Sequence, residues 1–426
     1  MTAMPQKEEK RMGPVKAVLV GAGARGMDVY AAYALAHKTE LQFVAVAEPD
    51  EEKRRRFCAL HGIPPERAYK DDEALFAAGK LGDCAFVCTQ DRLHTRPAMM
   101  ALEQGYDVLL EKPMATTREE CELLVRTAQR QGRKLMLCHV LRYTRFFSKI
   151  KELLEKGAIG TLVGIAHNED IGYWHFAHSY VRGEWRRADK ASPMILAKCC
   201  HDLDILRWLA GSRCTSVYST GDLYHFKAEN APEGAPARCL DGCAHLRECP
   251  YYAPAQYLTE DTDWPTAVIS ADRSIEARTR ALEKGPYGRC VYRCDNDVCD
   301  RQSVVLQFEN GVHATFTASA FSENMDRRIV LDGTGGRITG SLETNTIALV
   351  QFATGLHETF TLSSQVDTLG HGGGDQHLIA DFVDLVRNGS AQAKTMAQDS
   401  LESHMLAFAA EESRLAGRPV AMPKAD

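Results

Sequence analysis

The segment at residues 14–26, PVKAVLVGAGARG, constrains the fold more than any other part of the chain. A short apolar run rich in β-branched residues passes into Gly21, Gly23 and Gly26, which have the spacing G-x-G-x-x-G, and a helical pattern follows. In a strand-turn-helix unit, the first glycine permits the tight turn, the second lets a pyrophosphate approach the backbone, and the third lets the helix pack on the strand. The helix N-terminus offers backbone N–H groups to phosphate. The segment therefore predicts an α/β domain that binds a dinucleotide.

The end of the second predicted strand, residues 41–47, indicates which dinucleotide. The strand runs into Glu48, and an acidic residue about twenty positions beyond the glycines is typical of sites where a carboxylate binds the ribose hydroxyls of NAD. The same charge would repel the 2′-phosphate of NADP. We therefore expect NAD as the cofactor. The alternative is a glycine turn beside an incidental surface glutamate.

The length and the charge of the chain limit its class. At 426 residues the chain exceeds one typical core, so two domains are expected. The net charge of −6, with both signs interspersed, gives no basic surface for nucleic acid. No apolar run is long enough to span a bilayer, and the N-terminal segment at residues 1–13 lacks the apolar core of a signal peptide. We therefore expect a cytoplasmic protein with no nucleic-acid or membrane partner.

Alternating strand and helix patterns predict a six-stranded, doubly wound parallel sheet in residues 14–140. Ligands of such sheets bind at the carboxyl ends of the strands. The residues that follow two of these predicted strands, all expected to contact the cofactor, are Thr89, Gln90, His94, Glu111 and Lys112. Because Lys112 lies at the end of a predicted strand, we expect it to lie near the nicotinamide.

The chain resembles the glucose-fructose oxidoreductase / inositol dehydrogenase / MocA (Gfo/Idh/MocA) family of NAD(P)-dependent sugar oxidoreductases. The segments that carry the resemblance are GAGARG at residues 21–26, EKP at 111–113, Arg142 with Tyr143, Trp185 with Arg186, HDLDILRWLAG at 201–211 and LGHGGGDQHL at 369–378. The resemblance implies a Rossmann domain followed by an α/β domain, residues 141–426, with a large, open, mostly antiparallel sheet. That sheet commonly forms the subunit contact, so a homo-oligomer, a dimer or a tetramer, is expected.

The resemblance also implies roles for particular residues. In such enzymes the lysine of the EKP segment lies beside the nicotinamide, and the histidine of the later segment assists proton transfer; the matching residues are Lys112 and His201. A base is needed because the hydroxyl proton must leave as hydride passes from the carbinol carbon to the nicotinamide. The further cofactor contacts expected from these motifs are Arg25, Glu111, Trp185 and Arg186.

One position departs from the family pattern. The family usually has an aspartate four residues before that histidine, whereas this chain has Ala197, followed by Lys198. Helical spacing places Lys198 and His201 on one face, so Lys198 is expected either to act as a base or to pair with an anion. Asp202 is expected on another face, as a solvated or capping group.

The segment between these motifs is dense in His, aromatic and Arg residues. Sugars are bound by polar groups together with aromatic rings that cover their C–H faces. The residues expected to contact the substrate are Tyr143, Tyr173, Trp174, His175, His178 and Arg186, with Trp185 as a wall. Two alternatives are an aromatic core segment and a metal site formed by His175, His178 and His201.

A cysteine-rich insertion at about residues 221–301 lacks regular periodicity. Its cysteines include Cys239, Cys243 and Cys249, spaced C-x3-C-x5-C, and then Cys290 and Cys294. Four thiolates closing a structural zinc site would order this insertion, and free thiols, disulfides or an iron–sulfur cluster are the alternatives. We expect the insertion to cover the substrate site or to lie at a subunit contact. Alternating strands over residues 303–362 and two later helices complete the second domain.

These features predict an NAD-dependent oxidoreductase that acts on a small carbohydrate. Two other functions stay open: a glycosidase that uses NAD transiently, through oxidation, elimination, hydration and re-reduction, and a catalytically inactive NAD-sensing protein. The missing aspartate is the support for the second of these.

Overall fold

The computed structural model describes residues 13–362, 371–389 and 393–423. The chain divides into two compact units, one comprising Met1–Lys151 with Leu362–Met405 and the other comprising Glu152–Thr361 with Leu406–Asp426. Residues 362–405 belong to the first compact unit, and the predicted domain boundary near residue 140 stays a prediction. Residues 1–12 of the N-terminal segment, and residues 369 and 370 of the late family segment, lie outside the described residues.

The first unit contains the predicted six-stranded parallel sheet, with strand order β3-β2-β1-β4-β5-β6. The strands are β1 (Val15–Val20), β2 (Leu41–Ala47), β3 (Ala68–Tyr69), β4 (Cys84–Val87), β5 (Asp107–Leu110) and β6 (Leu135–Leu137). The middle strands are buried on both faces, as their continuous apolar runs require. This confirms the predicted doubly wound sheet.

The helices of this unit have clear sequence signals. The helix Arg118–Gln131 begins after Thr117, whose hydroxyl accepts a hydrogen bond from the backbone N–H of Glu120, and ends at Gly132 in the left-handed region. The other helices up to the unit boundary are Arg25–Ala31, a π-helix that continues as Ala32–Ala36, then Glu51–His61, Asp72–Ala77, Thr95–Glu103 and Arg145–Glu155. The helix Gly374–Asn388 also belongs to this unit, and the helix Ala397–Ala416 begins in this unit and ends in the second.

The second unit contains a nine-stranded sheet with strand order β14-β13-β12-β11-β7-β10-β9-β8-β15. The strands are β7 (Leu162–Asp170), β8 (Cys214–Asp222), β9 (Arg301–Phe308), β10 (His313–Ser319), β11 (Asp326–Gly333), β12 (Gly336–Ser341), β13 (Thr346–Gln351), β14 (His357–Thr361) and β15 (Val420–Ala421). The β7–β10 pair is parallel and the other described pairs are antiparallel. This confirms the mostly antiparallel sheet.

One face of this sheet is buried and the other is open. Residues of β9 alternate strictly between exposed and buried along the strand. Such alternation is typical of an antiparallel sheet that packs on one side only. The helix Cys200–Ala210, with Gly211 in the left-handed region after it, packs against β7 on the buried face.

The insertion between β8 and β9 is more regular than predicted. It contains the helices Ala253–Tyr257, Thr266–Ile269 and Ile275–Lys284. The last of these begins after Ser274, whose hydroxyl accepts a hydrogen bond from the N–H of Ala277. A small apolar core of its own, which includes Tyr257 and Leu282, holds the insertion together. In the described part of the chain, no helix has the length and apolar character needed to cross a membrane.

Candidate functional site

The glycine turn after β1 has the geometry that its sequence requires. Gly21 has φ +93°, and a Cβ there would lie 2.8 Å from the carbonyl oxygen of Cys88. A Cβ on Gly26 would collide with the carbonyl oxygen of Gly21, whereas a Cβ on Gly23 would meet no atom within 4 Å. Gly21 and Gly26 are therefore needed for the turn itself, and Gly23 leaves the backbone open to a ligand.

Glu48 is held against this turn at the end of β2. Its side chain is buried, with 6% of the residue exposed. One carboxylate oxygen accepts a hydrogen bond from the N–H of Ala22 (2.7 Å), and the other accepts one from the N–H of Asp50 (3.0 Å). The carboxylate thus lies beside the turn, where a ribose of a dinucleotide is bound in this type of fold.

The ends of β4 and β5 are tied together by His94. The two ring nitrogens of this buried residue lie 2.7 Å from the carbonyl oxygen of Pro113 and 3.0 Å from that of Thr89. The hydroxyl oxygen of Thr89 is itself buried and has no hydrogen-bond partner within the described residues, while Gln90 is exposed. A buried hydroxyl of this kind fits a polar ligand, because a buried polar group is otherwise costly. The donors and the open glycine therefore suit a bound dinucleotide.

Arg25 links the glycine turn to the segment that carries Lys112. Its guanidinium donates to Glu111, to Asp375 (2.6 Å) and to the hydroxyl of Tyr30 (3.1 Å). Burial opposes ionisation of Glu111, but Arg25 and Tyr30 lower the pKa of this carboxyl. Glu111 also accepts a hydrogen bond from the backbone N–H of Lys112 (3.1 Å). The residue next to the predicted nicotinamide position is therefore anchored to the turn.

Tyr143 lies in the first unit with its hydroxyl engaged. The hydroxyl donates to a carboxylate oxygen of Asp381 at 2.6 Å. Burial and this hydrogen bond raise the pKa of Tyr143 well above its usual value. Its expected contact with substrate stays a prediction, and its observed partner is a carboxylate on the helix Gly374–Asn388.

The second unit corrects the expected relation between Lys198 and His201. The chain forms a short helix, Met194–Ala197, breaks at Lys198 and Cys199, and starts a new helix, Cys200–Ala210. His201 is buried near the start of the second helix, and Lys198 precedes that helix, so the expected shared helical face is wrong. Helical spacing does not hold across the break.

Lys198 instead begins a buried chain of alternating charges. Its Nζ lies 3.1 Å from Glu169 on β7, and Glu169 lies 2.7 Å from the guanidinium of Arg327 on β11. Arg327 also donates to Asp202 (2.9 Å), and Asp202 lies 2.8 Å from Nε2 of His167. With two cations and two carboxylates, the chain of charges is neutral when His167 is neutral. Asp202 was expected to be solvated, which is wrong, because it is 0% exposed and holds Arg327.

The two carboxyls of the buried chain of charges, Asp202 and Glu169, differ in their proton affinity. Burial opposes ionisation of Asp202, but Arg327 and His167 outweigh it and lower the pKa of Asp202 to about 2. At Glu169, burial together with the neighbouring Asp202 outweighs Arg327 and Lys198 and raises the pKa. Glu169 is therefore the carboxyl that accepts a proton more readily.

Apart from Tyr143, the residues predicted to contact substrate lie on helical turns after β7, and aromatic rings of the insertion pack on several of them. The ring of Trp264 lies 5.5 Å from that of Trp174, 4.9 Å from that of His175 and 5.6 Å from that of His178. Nδ1 of His178 lies 2.8 Å from the hydroxyl of Tyr257. Burial, with Arg182 nearby, lowers the pKa of His178 to about 3. His178 therefore has the surroundings of a neutral core histidine.

Two other predicted residues of this region, Tyr173 and Arg186, also contact the insertion. The ring of Tyr173 lies 6.0 Å from that of Tyr251. Arg186 donates to Asp295 (3.0 Å), and Trp185 lies beside Tyr180. The alternative metal site is not formed in the described residues, because the ring nitrogens of His175, His178 and His201 do not converge within 4.8 Å.

Four of the five cysteines expected to bind metal surround one cavity. Cys239, Cys243, Cys249 and Cys290 line one small, partly open cavity. Cys294 does not line this cavity, and its thiol donates to the carbonyl oxygen of Cys290 (3.4 Å).

Sequence reasoning missed Glu169, Arg327 and His167. A signal was present in β7, since His167 and Glu169 continue the alternation that begins with the buried Ile165 and are therefore placed on the buried face. The register of β7 and β11 places Arg327 opposite Glu169. A buried carboxylate in such a strand requires a cation nearby.

Comparisons with known proteins agree with this geometry. Residues 15–139 match the family model described as "Oxidoreductase family, NAD-binding Rossmann fold", and residues 151–422 match the one described as "Oxidoreductase family, C-terminal alpha/beta domain"; both are models of the Gfo/Idh/MocA family.

Curated relatives cover the chain to different extents. The protein YteT of Bacillus subtilis is 24% identical over 77% of this chain and 78% of its own length. The inositol 2-dehydrogenase of Klebsiella pneumoniae is 29% identical over 41% of this chain and 48% of its own length. The 2,7-anhydro-N-acetylneuraminate hydratase of Mediterraneibacter gnavus is 30% identical over 33% of this chain and 36% of its own length.

Solved structures share the whole fold. A levoglucosan dehydrogenase in complex with NADH and levoglucosan aligns with a TM-score of 0.71 and 18% identity, over 96% of this chain and all of that one. An oxidoreductase from Agrobacterium radiobacter in complex with NAD+, L-tartaric acid and magnesium aligns with a TM-score of 0.68 and 20% identity, over 96% of this chain and 98% of that one. At sequence identities this low, the similarity shows only that the fold is shared.

Proposed function

Because the chain belongs to the Gfo/Idh/MocA oxidoreductase family, we propose that it transfers hydride between NAD and a carbinol carbon of a sugar, a glycoside or a cyclic polyol. The observation that carries this proposal is the anchoring of the segment after β5. Glu111 is bound to Arg25 of the glycine turn, so the amine-bearing residue Lys112 is fixed at the carboxyl end of the sheet.

The cofactor would be NAD. The open approach at Gly23, the carboxylate of Glu48 and the hydroxyl of Thr89 are the groups that would bind it. Glu48 supports NAD over NADP, because a buried carboxylate beside the turn repels a 2′-phosphate. NAD supplies the chemistry of hydride acceptance when it is bound.

Proton transfer would be the task of Lys112 and His201, with Lys198 in support. A substrate hydroxyl must lose its proton as hydride leaves its carbon, and an amine or an imidazole is a suitable acceptor. Lys198 has a carboxylate partner, Glu169, so its contribution would be to hold or relay a proton together with that carboxyl.

The aromatic surface formed by the turns after β7 and the insertion supports a carbohydrate substrate. Trp174, His175 and Trp264 lie together there, and aromatic rings bind the C–H faces of sugars and cyclic polyols. The names of two similar proteins, inositol 2-dehydrogenase and levoglucosan dehydrogenase, concern substrates of this class. The role of Tyr143, Tyr173, His178 and Arg186 as substrate contacts, and of Trp185 as a wall, is part of the same proposal.

One feature favours a second function, a glycosidase that uses NAD transiently. Ala197 replaces the aspartate that the family usually has, and it lies next to the Lys198–Glu169 pair. A carboxyl with raised pKa next to an amine suits removal of an acidified C–H proton, which a redox-neutral cleavage requires after transient oxidation. One relative is named a hydratase of an anhydro-sugar. In this alternative NAD is regenerated within each cycle.

One experiment tests the proposal and separates the two functions. Purified protein is incubated with NAD and a panel of cyclic polyols, free sugars, anhydro-sugars and aryl glycosides, while NADH absorbance and released aglycone are followed together. NADH that rises with a polyol or a sugar supports the dehydrogenase. Aglycone release that needs NAD but leaves no NADH supports the redox-neutral function, and no NAD-dependent change with any class would overturn both.

We further propose that the protein is a cytoplasmic homo-oligomer. All fourteen cysteines are described, and none forms a disulfide, which suits a reducing compartment. Val305 and Tyr218 are exposed and paired in register on the open face of the nine-stranded sheet. A large sheet face of this kind suits contact with a second copy.

A further inference from the structure

The cysteine cavity of the insertion is assembled from two distant segments. An antiparallel β-bridge between Arg238 and Arg289 joins the two segments: the N–H of Cys239 donates to the carbonyl oxygen of Gly288 (2.9 Å), and the N–H of Cys290 donates to that of Ala237 (2.9 Å). Cys243 and Cys249 reach the same cavity from the turns that follow Cys239. The fold therefore brings four thiols from residues 239–290 to one cavity, and thiolates are ligands that soft metal centres prefer.

The four sulfur atoms do not converge on one point as the ligands of a zinc ion do. Zinc binds thiolates at about 2.3 Å in a tetrahedron, which places the four sulfur atoms about 3.8 Å from one another. Among these described cysteines, no three sulfur atoms lie within 4.8 Å of one another. The structural zinc expected from the sequence is therefore not supported. In a cubane iron–sulfur cluster each thiolate binds a different iron atom, so the sulfur atoms stand farther apart around a central volume.

A buried cation next to the cavity is the second observation. Arg182 is 0% exposed and lines the cavity, and its guanidinium donates to the sulfur of Cys239 (3.8 Å) and to the carbonyl oxygens of Tyr251 and Arg289. Nη1 of Arg182 is buried without a hydrogen-bond partner, and no carboxylate of the described residues pairs with this guanidinium. A buried arginine needs a negative partner, which a thiolate-bound cluster supplies.

Backbone N–H groups also face two of the sulfur atoms. The N–H of Tyr251 faces Cys249, and the N–H of Tyr292 faces Cys290. Hydrogen bonds from backbone to sulfur are a common feature of thiolate ligands and help to set their properties.

We propose that Cys239, Cys243, Cys249 and Cys290 bind a [4Fe–4S] cluster next to Arg182. The cluster binds as a preformed unit: each thiol releases its proton to solvent, and each thiolate forms one bond to one iron atom. The chain between Cys249 and Cys290 carries Tyr257 and Trp264, so the cluster would fix the part of the insertion that packs on His178.

The test is the metal and sulfide content of the full-length protein, purified without oxygen and also after reconstitution with ferric iron, sulfide and dithiothreitol. We expect about four iron atoms and four acid-labile sulfides per chain, together with broad visible absorption that reduction by dithionite bleaches. About one zinc per chain without sulfide would overturn the proposal. Iron without sulfide, or no metal after reconstitution, would overturn it as well.

Cysteine variants identify the ligands. Cys249→Ser and Cys290→Ser should lower the iron content to less than about half of the wild-type value, because each removes one iron–thiolate bond. Cys294→Ser is the matched control, since Cys294 lies in the same segment but does not line the cavity, and it should retain the wild-type iron content. Equal loss in all three variants, or loss in Cys294→Ser alone, would contradict the ligand set. The wild-type measurement does not depend on the folding of any variant.

Discussion

The buried chain of charges predicts a large effect of replacing Asp202 with asparagine. Asp202→Asn keeps the size of the side chain but removes one of two carboxylates that balance Lys198 and Arg327. Relative to an ordinary aspartate pKa, the lowered pKa of about 2 corresponds to roughly 2–3 kcal/mol of stability. Breaking one partner of a buried pair typically costs about 3–5 kcal/mol. We therefore expect the second unit to lose about 3 kcal/mol.

Differential scanning calorimetry at pH 7 measures this loss. For a unit of this size, about 3 kcal/mol lowers the melting temperature by about 6–12 °C. Asp332→Asn is the matched control, because Asp332 pairs with Arg337 at 2.6 Å on the same sheet but both side chains are about half exposed. That control should shift the melting temperature by no more than about 3 °C. Shifts of equal size in the two variants would refute the reasoning.

The same variant also tests how the stabilisation by Asp202 depends on pH. The pKa of Asp202 is lower in the folded state than in the unfolded state, so its contribution is complete above about pH 4 and is lost as the pH falls towards 2. The gap between wild type and Asp202→Asn should therefore shrink over this range. A gap that stays constant from pH 5 to pH 2.5 would show that the ionised carboxylate is not its source.

The cofactor turn and the two lysines give the remaining predictions. Gly23→Ala should leave the melting temperature within about 2 °C but weaken NAD binding about tenfold or more, whereas Gly26→Ala should destabilise the first unit; calorimetry and NAD titration distinguish them. Titrations should give a Kd for NAD at least about tenfold below that for NADP, and equal values would contradict the role of Glu48. Lys112→Met and Lys198→Met should each lower kcat by about 10²–10⁴ with an unchanged Kd for NAD, and unchanged turnover would exclude the lysine concerned from proton transfer.

The first unit was largely predictable because its signals are local. The glycine turn, the apolar strands and a helix such as Arg118–Gln131 are each specified by neighbouring residues. Strands that are apolar throughout fit a parallel sheet that is covered on both faces, so the type of sheet could be predicted as well. The antiparallel sheet of the second unit was foreseen from the alternation of its strands together with the family resemblance.

The buried charge chain was not predictable in the same way. Glu169 meets Arg327 only through the register of two strands that are far apart in the sequence, and Asp202 reaches the same guanidinium from a helix. Helical spacing suggested a shared face for Lys198 and His201 because it could not show the break at Lys198 and Cys199. The helix Ile275–Lys284 escaped notice because it buries few apolar residues.

The metal ligands of the insertion could not be predicted from sequence spacing either. Spacing alone indicated five candidate cysteines, with zinc, an iron–sulfur cluster, disulfides and free thiols as the alternatives. Only the fold separates Cys294 from the four cysteines around the cavity and brings the buried Arg182 to them. The roles of Lys112, His201 and the aromatic residues in catalysis stay predictions from sequence that the experiments above address.

The central claim is that hydride passes between the nicotinamide and a carbinol carbon, and deuterium transfer tests it most directly. The protein is incubated with NADH carrying deuterium at both C4 positions and with the ketone form of a polyol or sugar identified in the substrate panel. Mass spectrometry should find one deuterium on the new carbinol carbon, with the signal lost in Lys112→Met. A reduced product without deuterium, or labelled product formed equally by Lys112→Met, would contradict the account.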